Sequence, residues 1–328
     1  MLNSCSRSSY TWNAACAALV LFTASSAHAW PDKPVRIVVP AVAGGTMDVV
    51  ARLLSDQLSK DTGQTFFVDN KRGSGGNIAM AAMLSAPADG QTIMVAIDNI
   101  LTEIPHVVKT NFDPLKDIKP VAAVARTDMV LIGNKDLPAK DVKGLVAHFK
   151  AAPGKWSFAS YATGSASHYA GLMFAKHAGL DLQHVPFVGS PPALTQIMGG
   201  QVPIMVDGMV TSLPLIRAKK LSAYAVLGKT RSPLLPDVPT FTELGYPEIQ
   251  FSNSAVVIVP SGVPEDVVEK IRAAAYKAAS APHVRTRMAE LGFAPLAPQS
   301  IADVAKTVRE EYERNGSIVK AFNIKPNE

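Results

Sequence analysis

A chain of 328 residues with 48% apolar and 18% charged residues holds enough core material for two α/β domains of ordinary size, and that balance excludes disorder as its main state. Its formal charge of +5 is carried by Lys and Arg scattered along the chain, with no cluster that alternates with aromatics. That pattern argues against a nucleic-acid binder and leaves a modest positive field that favours encounter with small anions.

The first 29 residues read as a signal peptide. Arg7 and the amino terminus form a thin positive region, "AACAALVLF" (14–22) is the apolar stretch, and "AHA" (27–29) fits the small-x-small rule, so cleavage is expected after Ala29. The apolar stretch is far shorter than the roughly 20 residues that span a bilayer. Cys16 precedes the main apolar run and has Asn13 three places before it, which argues against lipidation. Cys5 and Cys16 both leave with this segment. A mature chain without cysteine has no disulfide, thiolate nucleophile or Cys-metal site, and it suits a bacterial periplasm.

From residue 35 the pattern alternates. "VRIVVPA" (35–41), "TFFVDN" (65–70) and "TIMVAID" (92–98) read as strands, with helical stretches over 49–60 and 77–86 between them and the turn signal "PADG" after the second. This is a βαβαβ unit, whose parallel sheet needs helices on both faces. A second set follows: strand 129–133, helix 142–150, strand 156–160, helix 169–178, strand 183–187, a helix near 192–198, and strands at 202–208 and 222–227. After a Pro-rich connection over 231–248, the strand "NSAVVIVP" (253–260) opens a last section with amphipathic helices over 265–279 and 301–322. The expected fold class is α/β in two lobes, the chain entering the second near 126–128 and returning near 251–254. Two crossings make a hinge, and a cleft between lobes encloses a ligand.

Most catalytic templates fail. No serine stands in Gly-x-Ser-x-Gly; "GKT" (228–230) has Ala223 where a phosphate loop needs glycine; "GSGGNI" (73–78) has Ile78 in place of the third glycine of a dinucleotide fingerprint. His106, His148, His168, His177, His184 and His283 never pair at metal-ligand spacing. What remains is a set of small, hydroxyl-rich turns: "AVAGGTMD" (41–48), "GSGGN" (73–77), "YATGSASHY" (161–169), "FVGSPP" (187–192) and "VDGMVTS" (206–212). Each alone can be a helix cap. Together at the carboxyl ends of strands they suit a carboxylate, because free N–H groups at helix starts carry partial positive charge and a buried carboxylate needs several donors.

The residues resemble the extracytoplasmic receptors of tripartite tricarboxylate transporters, the Bug or TctC type. The resemblance rests on "WPDKPVRIVVP", "VDNKRGSGGNIA", "FDPLKDIKPVA", "HVPFVGSPPALTQIMGGQVPIMVD", "IRAKKLSAYAV", "RSPLLPDVPTFTELGYP" and "VPSGVPEDVVEKI", and it covers the chain from Trp30 onward. It implies a two-lobe periplasmic binding protein (type II, Venus flytrap), monomeric, that closes on a small carboxylate and passes it to membrane subunits, with no catalysis, cofactor or metal. Lobe 1 would comprise 30–128 plus 253–328, and lobe 2 would comprise 129–252. By position, Gly44, Gly45, Thr46 and Met47 on one side and Thr163, Gly164, Ser165 and His168 on the other would hold the carboxylate. Phe187, Gly189 and Asp207 would line the far wall, and Asp98, at the end of the third strand, joins them. Asp207 could accept from a ligand amine, a lobe-closing donor or water, or it could cap a helix.

The first loop departs from the family pattern Pro-[Phe/Tyr]-x-Ala-Gly-Gly-Gly-Thr-Asp. Ala41 replaces the aromatic and Thr46-Met47 replace Gly-Thr. These changes imply a roomier, more apolar pocket, fit for an aromatic or longer dicarboxylic acid. Two other classes stay open: a sensory receptor for a membrane histidine kinase, which would bind the same ligands, and a hydrolase, for which no nucleophile with its base is visible.

Overall fold

The computed structural model describes residues 30–324, so the expected signal peptide lies outside the described residues. The first lobe opens with β1 (Val35–Val39), α1 (Thr46–Thr62), β2 (Phe66–Asn70), α2 (Asn77–Leu84), β3 (Thr92–Ile97) and the single turn α3 (Asn99–Thr102). β1 lies between β2 and β3, parallel to both. Its alternation follows the period of two: Val35, Ile37 and Val39 pack with Leu54 of α1 on one face, and Val38 packs with Met80 of α2 and Met94 of β3 on the other.

The next strand is longer than the sequence reading allows. β4 runs without a break from Ile118 to Asn134. The reading placed a strand only at 129–133, because 118–128 is rich in alanine and contains Pro120, which is weak strand material. Pairing supplies what propensity lacks. That half forms an antiparallel ladder with β9 (Ser252–Pro260), with register shifts at Pro120/Ala122 and Ala123/Ala125.

The second lobe contains α4 (Val142–Lys150), β5 (Trp156–Ser160), α5 (Ala166–Ala178), β6 (Leu182–Pro186), α6 (Ser190–Met198), β7 (Ile204–Gly208), α7 (Met209–Arg217) and β8 (Leu221–Val226). β5 is parallel to β6 and β7, while β7 and β8 run antiparallel to the far half of β4. One strand path, β2-β1-β3-β9-β4-β7-β5-β6, therefore runs through both lobes with β4 as its spine.

Helix α5 begins three residues before its expected start because Ser165 caps it, its Oγ accepting from the His168 N–H. Ser165→Ala is expected to cost about 1 kcal/mol, read as a lower urea midpoint at unchanged slope.

The chain returns through β9 to α8 (Glu265–Ser280), α9 (Pro282–Glu290), β10 (Ala294–Pro295) and α10 (Ile301–Ala321). α9 escaped the sequence reading because it buries only Val284 and Met288, too few for a visible period. α10 packs in both lobes. Val304 and Val308 belong to the first-lobe core, whereas Ile318 joins Phe158, Phe174 and Phe241 in the second. It adds a third tie to the two strand crossings at 126–129 and 251–253.

Candidate functional site

The lobes face each other across a cavity of about 290 Å³. Thr46, Met47, Ile97, Asn99, Thr127 and Asn253 form its first-lobe wall, and Tyr161, Gly189, Ser190, Gly208 and Thr211 its second-lobe wall. A neighbouring cavity of about 310 Å³ shares Met47, Ile97 and Asn99 and extends past Pro40 to Gly73, Gly75, Gly76 and Ile104. Gly76, at φ +94°, has no room for a side chain, since a Cβ would stand 2.4 Å from Ile100. The glycine turn "GSGGN" is thus shaped by close packing.

Three helix starts meet at the main cavity. α1 begins at Thr46 after Gly45, α6 at Ser190 after Gly189, and α7 at Met209 after Gly208, and none has a side-chain cap. Uncapped starts leave N–H groups and the positive end of the helix dipole facing the cavity. α6 contributes least, because Pro191 and Pro192 carry no N–H. Thr127 stands on the same wall as α1 and is 6% exposed, and its hydroxyl is buried without a hydrogen-bond partner among the described residues. A buried hydroxyl without a partner costs about 1–3 kcal/mol unless a ligand completes it.

Beneath the second-lobe wall lies Asp207, fully buried. Its Oδ1 accepts from Ser190 Oγ at 2.5 Å, and its Oδ2 accepts from Thr211 Oγ1 at 2.6 Å and Ser212 Oγ at 2.7 Å. Burial pushes its carboxyl up from the usual range and the three hydroxyls pull it back. Of the roles open to Asp207 in the sequence, the structure displays an internal one, tying the starts of α6 and α7 together.

The loop "YATGSASHY" meets this cavity at Tyr161, its first residue, and the rest of it serves other contacts. The anion seat at the start of α5 already holds a carboxylate: Glu103 Oε2, from the first lobe, accepts the Ala166 N–H at 2.9 Å, and Asn253 Nδ2 donates to its Oε1 at 3.3 Å. Burial lifts the Glu103 carboxyl to about 7 against the Ala166 N–H, and the charge of Asp98 adds to the rise. Gly164 abuts Val107 of the first lobe, Ser165 caps α5, and Thr163 is half-buried in the loop between them. His168 Nδ1 accepts from the Gly164 N–H at 3.1 Å, and its ring stacks on His184 with centroids 3.7 Å apart. Burial holds both imidazoles neutral, His168 at about 3 and His184 at about 4, and the His184 charge also lowers His168.

Of the other residues singled out in the sequence, Thr46, Met47 and Gly189 line the cavity. Gly45 is the residue before α1, and Gly44, at φ +77°, donates its N–H to Asp48 Oδ2 at 2.8 Å. Ala41 packs on the first-lobe core and Phe187 on the second. Asp98 is buried behind the hinge, where its Oδ2 accepts the Ser254 N–H at 2.9 Å and burial raises its carboxyl to about 6. The sequence reading missed Asn99, Thr127, Tyr161, Ser190, Thr211, Asn253 and Glu103. Thr127 and Asn253 do fall at the two predicted crossings, where the signal was position and not residue type.

A cleft between two α/β lobes, hinged on β4 and β9 and fringed by uncapped helix starts, defines a solute-binding receptor of the periplasmic binding protein kind. Residues 50–324 match the family described as Tripartite tricarboxylate transporter family receptor, and the chain belongs to that family. It is similar to the UPF0065 protein in the tcbD-tcbE intergenic region of Pseudomonas sp. (strain P51), at 34% identity over 289 residues covering 87% of this chain and 86% of that one. Among solved structures it resembles R. palustris Rpa4515 with adipate, with TM-score 0.79 and 30% identity, covering 91% of this chain and 100% of that one. It also resembles MatC (Rpa3494) from Rhodopseudomonas palustris with bound malate, with TM-score 0.75 and 32% identity, covering 88% and 99%. The family is one of binding receptors, and this chain is a receptor and not an enzyme.

Proposed function

We propose that the receptor captures a small carboxylate in the periplasm for the membrane subunits of a tripartite tricarboxylate transporter. The carboxylate lies on the first-lobe wall, held by the N–H groups at the start of α1 and the hydroxyls of Thr46 and Thr127, while Met47, Ile97 and the neighbouring cavity take an apolar body. The observation that carries this reading is the buried, unpartnered Thr127 hydroxyl beside an uncapped helix start. The adipate and malate in the two similar structures agree with the ligand class. Room beside Met47 and Gly75 suits an aromatic or longer carbon chain better than a compact one. The leader directs export and is removed after Ala29, which amino-terminal sequencing of periplasmic protein checks.

A thermal-shift screen of mono-, di- and tricarboxylates tests the class, since a ligand at 100 times its dissociation constant adds about 2.7 kcal/mol. Thr127→Val then separates binding from stability. The free protein should be as stable as the parent or more so, because an unsatisfied hydroxyl leaves, while affinity for the best carboxylate falls about tenfold or more. Unchanged affinity in Thr127→Val removes the hydroxyl from the site, and a screen in which no carboxylate shifts the melting point ends the reading.

A further inference from the structure

The two walls of the cavity differ in hydrogen-bond polarity. Ser190 and Thr211 line the second-lobe side, and each hydroxyl has a single proton. Ser190 Oγ donates to Asp207 Oδ1, and Thr211 Oγ1 donates to Asp207 Oδ2, with the Gly208 carbonyl at 3.1 Å as its alternative acceptor. Ser212 Oγ donates to the same carboxylate. Ionised Asp207 only accepts, and it is fully buried, so no water replaces these partners. The protons of Ser190 and Thr211 therefore point into the lobe, and lone pairs face the cavity. A protonated Asp207 would have one proton to give and would release at most one of the three hydroxyls, so at least one of the two on the wall remains an acceptor. Backbone donors on this wall are few: Pro191 and Pro192 offer none, the Gly208 N–H is itself directed at Asp207, and those that remain stand at the uncapped helix starts beside the two hydroxyls, chiefly that of α7.

We propose that this wall reads a hydrogen-bond donor on the solute, a hydroxyl or an ammonium placed away from the carboxylate held at α1, and that it rejects a second carboxylate there. The inference rests on the carboxylate reading above and narrows it to hydroxy or amino acids. A second carboxylate would set its lone pairs against those of Ser190 and Thr211, with Asp207 directly behind them. A site whose polar groups are left unpaired by the wrong ligand discriminates far more strongly than one that measures size alone.

The test is calorimetric titration of the purified receptor with matched acids: butanoate, 4-hydroxybutanoate, 4-aminobutanoate and succinate, and the corresponding set at six carbons ending in adipate. In the series that binds tighter, the hydroxy or amino acid should exceed both the plain acid and the diacid at least tenfold. A diacid or plain acid that binds as tightly overturns the inference and leaves the carboxylate reading standing. If no member of either series binds, the inference falls, and the carboxylate reading falls with it when the wider thermal-shift screen is silent as well. Asp207→Asn places an amide N–H₂ against the hydroxyls and turns one of them outward as a donor, so preference should move toward the diacid by about tenfold. Should that variant fail to fold, Ser190→Ala with Thr211→Val removes the acceptors and leaves Asp207 its Ser212 partner, and the ratio of hydroxy acid to plain acid should fall to near one. An unchanged ratio there also overturns the inference.

Discussion

Gly164→Ala should destabilise the protein by roughly 3 kcal/mol or more and hold the lobes apart. Gly164 has φ +73°, and a Cβ there would stand 2.3 Å from Val107 Cγ1, 2.6 Å from Val107 Cβ and 2.7 Å from Val107 Cγ2. Every side-chain atom of Val107 is in the way, Val107 is 1% exposed in the second-lobe core cluster, and no rotamer change clears them all. The new methyl therefore meets both a strained backbone and a filled space across the lobe boundary. The expected result is a lower denaturation midpoint, a larger radius of gyration in solution scattering, and weaker carboxylate binding. Val107→Ala in the same chain removes Cγ1 and Cγ2 but keeps Cβ, so it should recover part of the steric cost and none of the backbone cost, giving a coupling of about 1 kcal/mol or more in a double-mutant cycle. A Gly164→Ala protein that melts with the parent would mean that the loop and Val107 move apart at little cost.

Glu103 is the second position of large effect. Its carboxylate serves the start of α5 and the Asn253 amide together, and both are buried or half-buried donors. Glu103→Ala should cost about 2 kcal/mol near pH 5, because the Ala166 N–H loses its acceptor. Glu103→Gln keeps an acceptor and removes the titration. The folded carboxyl stands at about 7 against an ordinary 4.5, so its contribution is fully present below the ordinary value and is lost as pH rises through about 7. Asp98, raised to about 6 by burial, has the same sign. His168 and His184 have the opposite one: both imidazoles are lowered, so their contribution is present above 6.5 and is lost as pH falls toward about 4 for His184 and about 3 for His168. Between pH 4.5 and 7 the melting temperature of Glu103→Gln should therefore decline less than that of the parent. Parallel curves for the two proteins would sink this account.

The sequence carried the alternation of strands and helices, the glycine turn before α1, the two-lobe fold class and the family. It did so because those features are local: an apolar period and a glycine in a turn are written in consecutive residues. It did not carry the first half of β4, whose alanines become a strand only against β9. Nor could it show which helix start is free. "YATGSASHY" and "AVAGGTMD" look alike as anion seats, yet the first is filled by Glu103, some sixty residues earlier in the chain, and the second opens on the cavity.

By itself, then, the sequence determined that this is a two-lobe receptor with small, hydroxyl-rich turns at its strand ends. The tertiary structure decided which of those turns remain unsatisfied. Whether a donor is free depends on partners brought from elsewhere in the chain, and that pairing is a property of the packed molecule. The same holds for the hydroxyl of Ser190: its residue type was legible, but the direction of its proton was fixed only when β7 brought Asp207 beneath it.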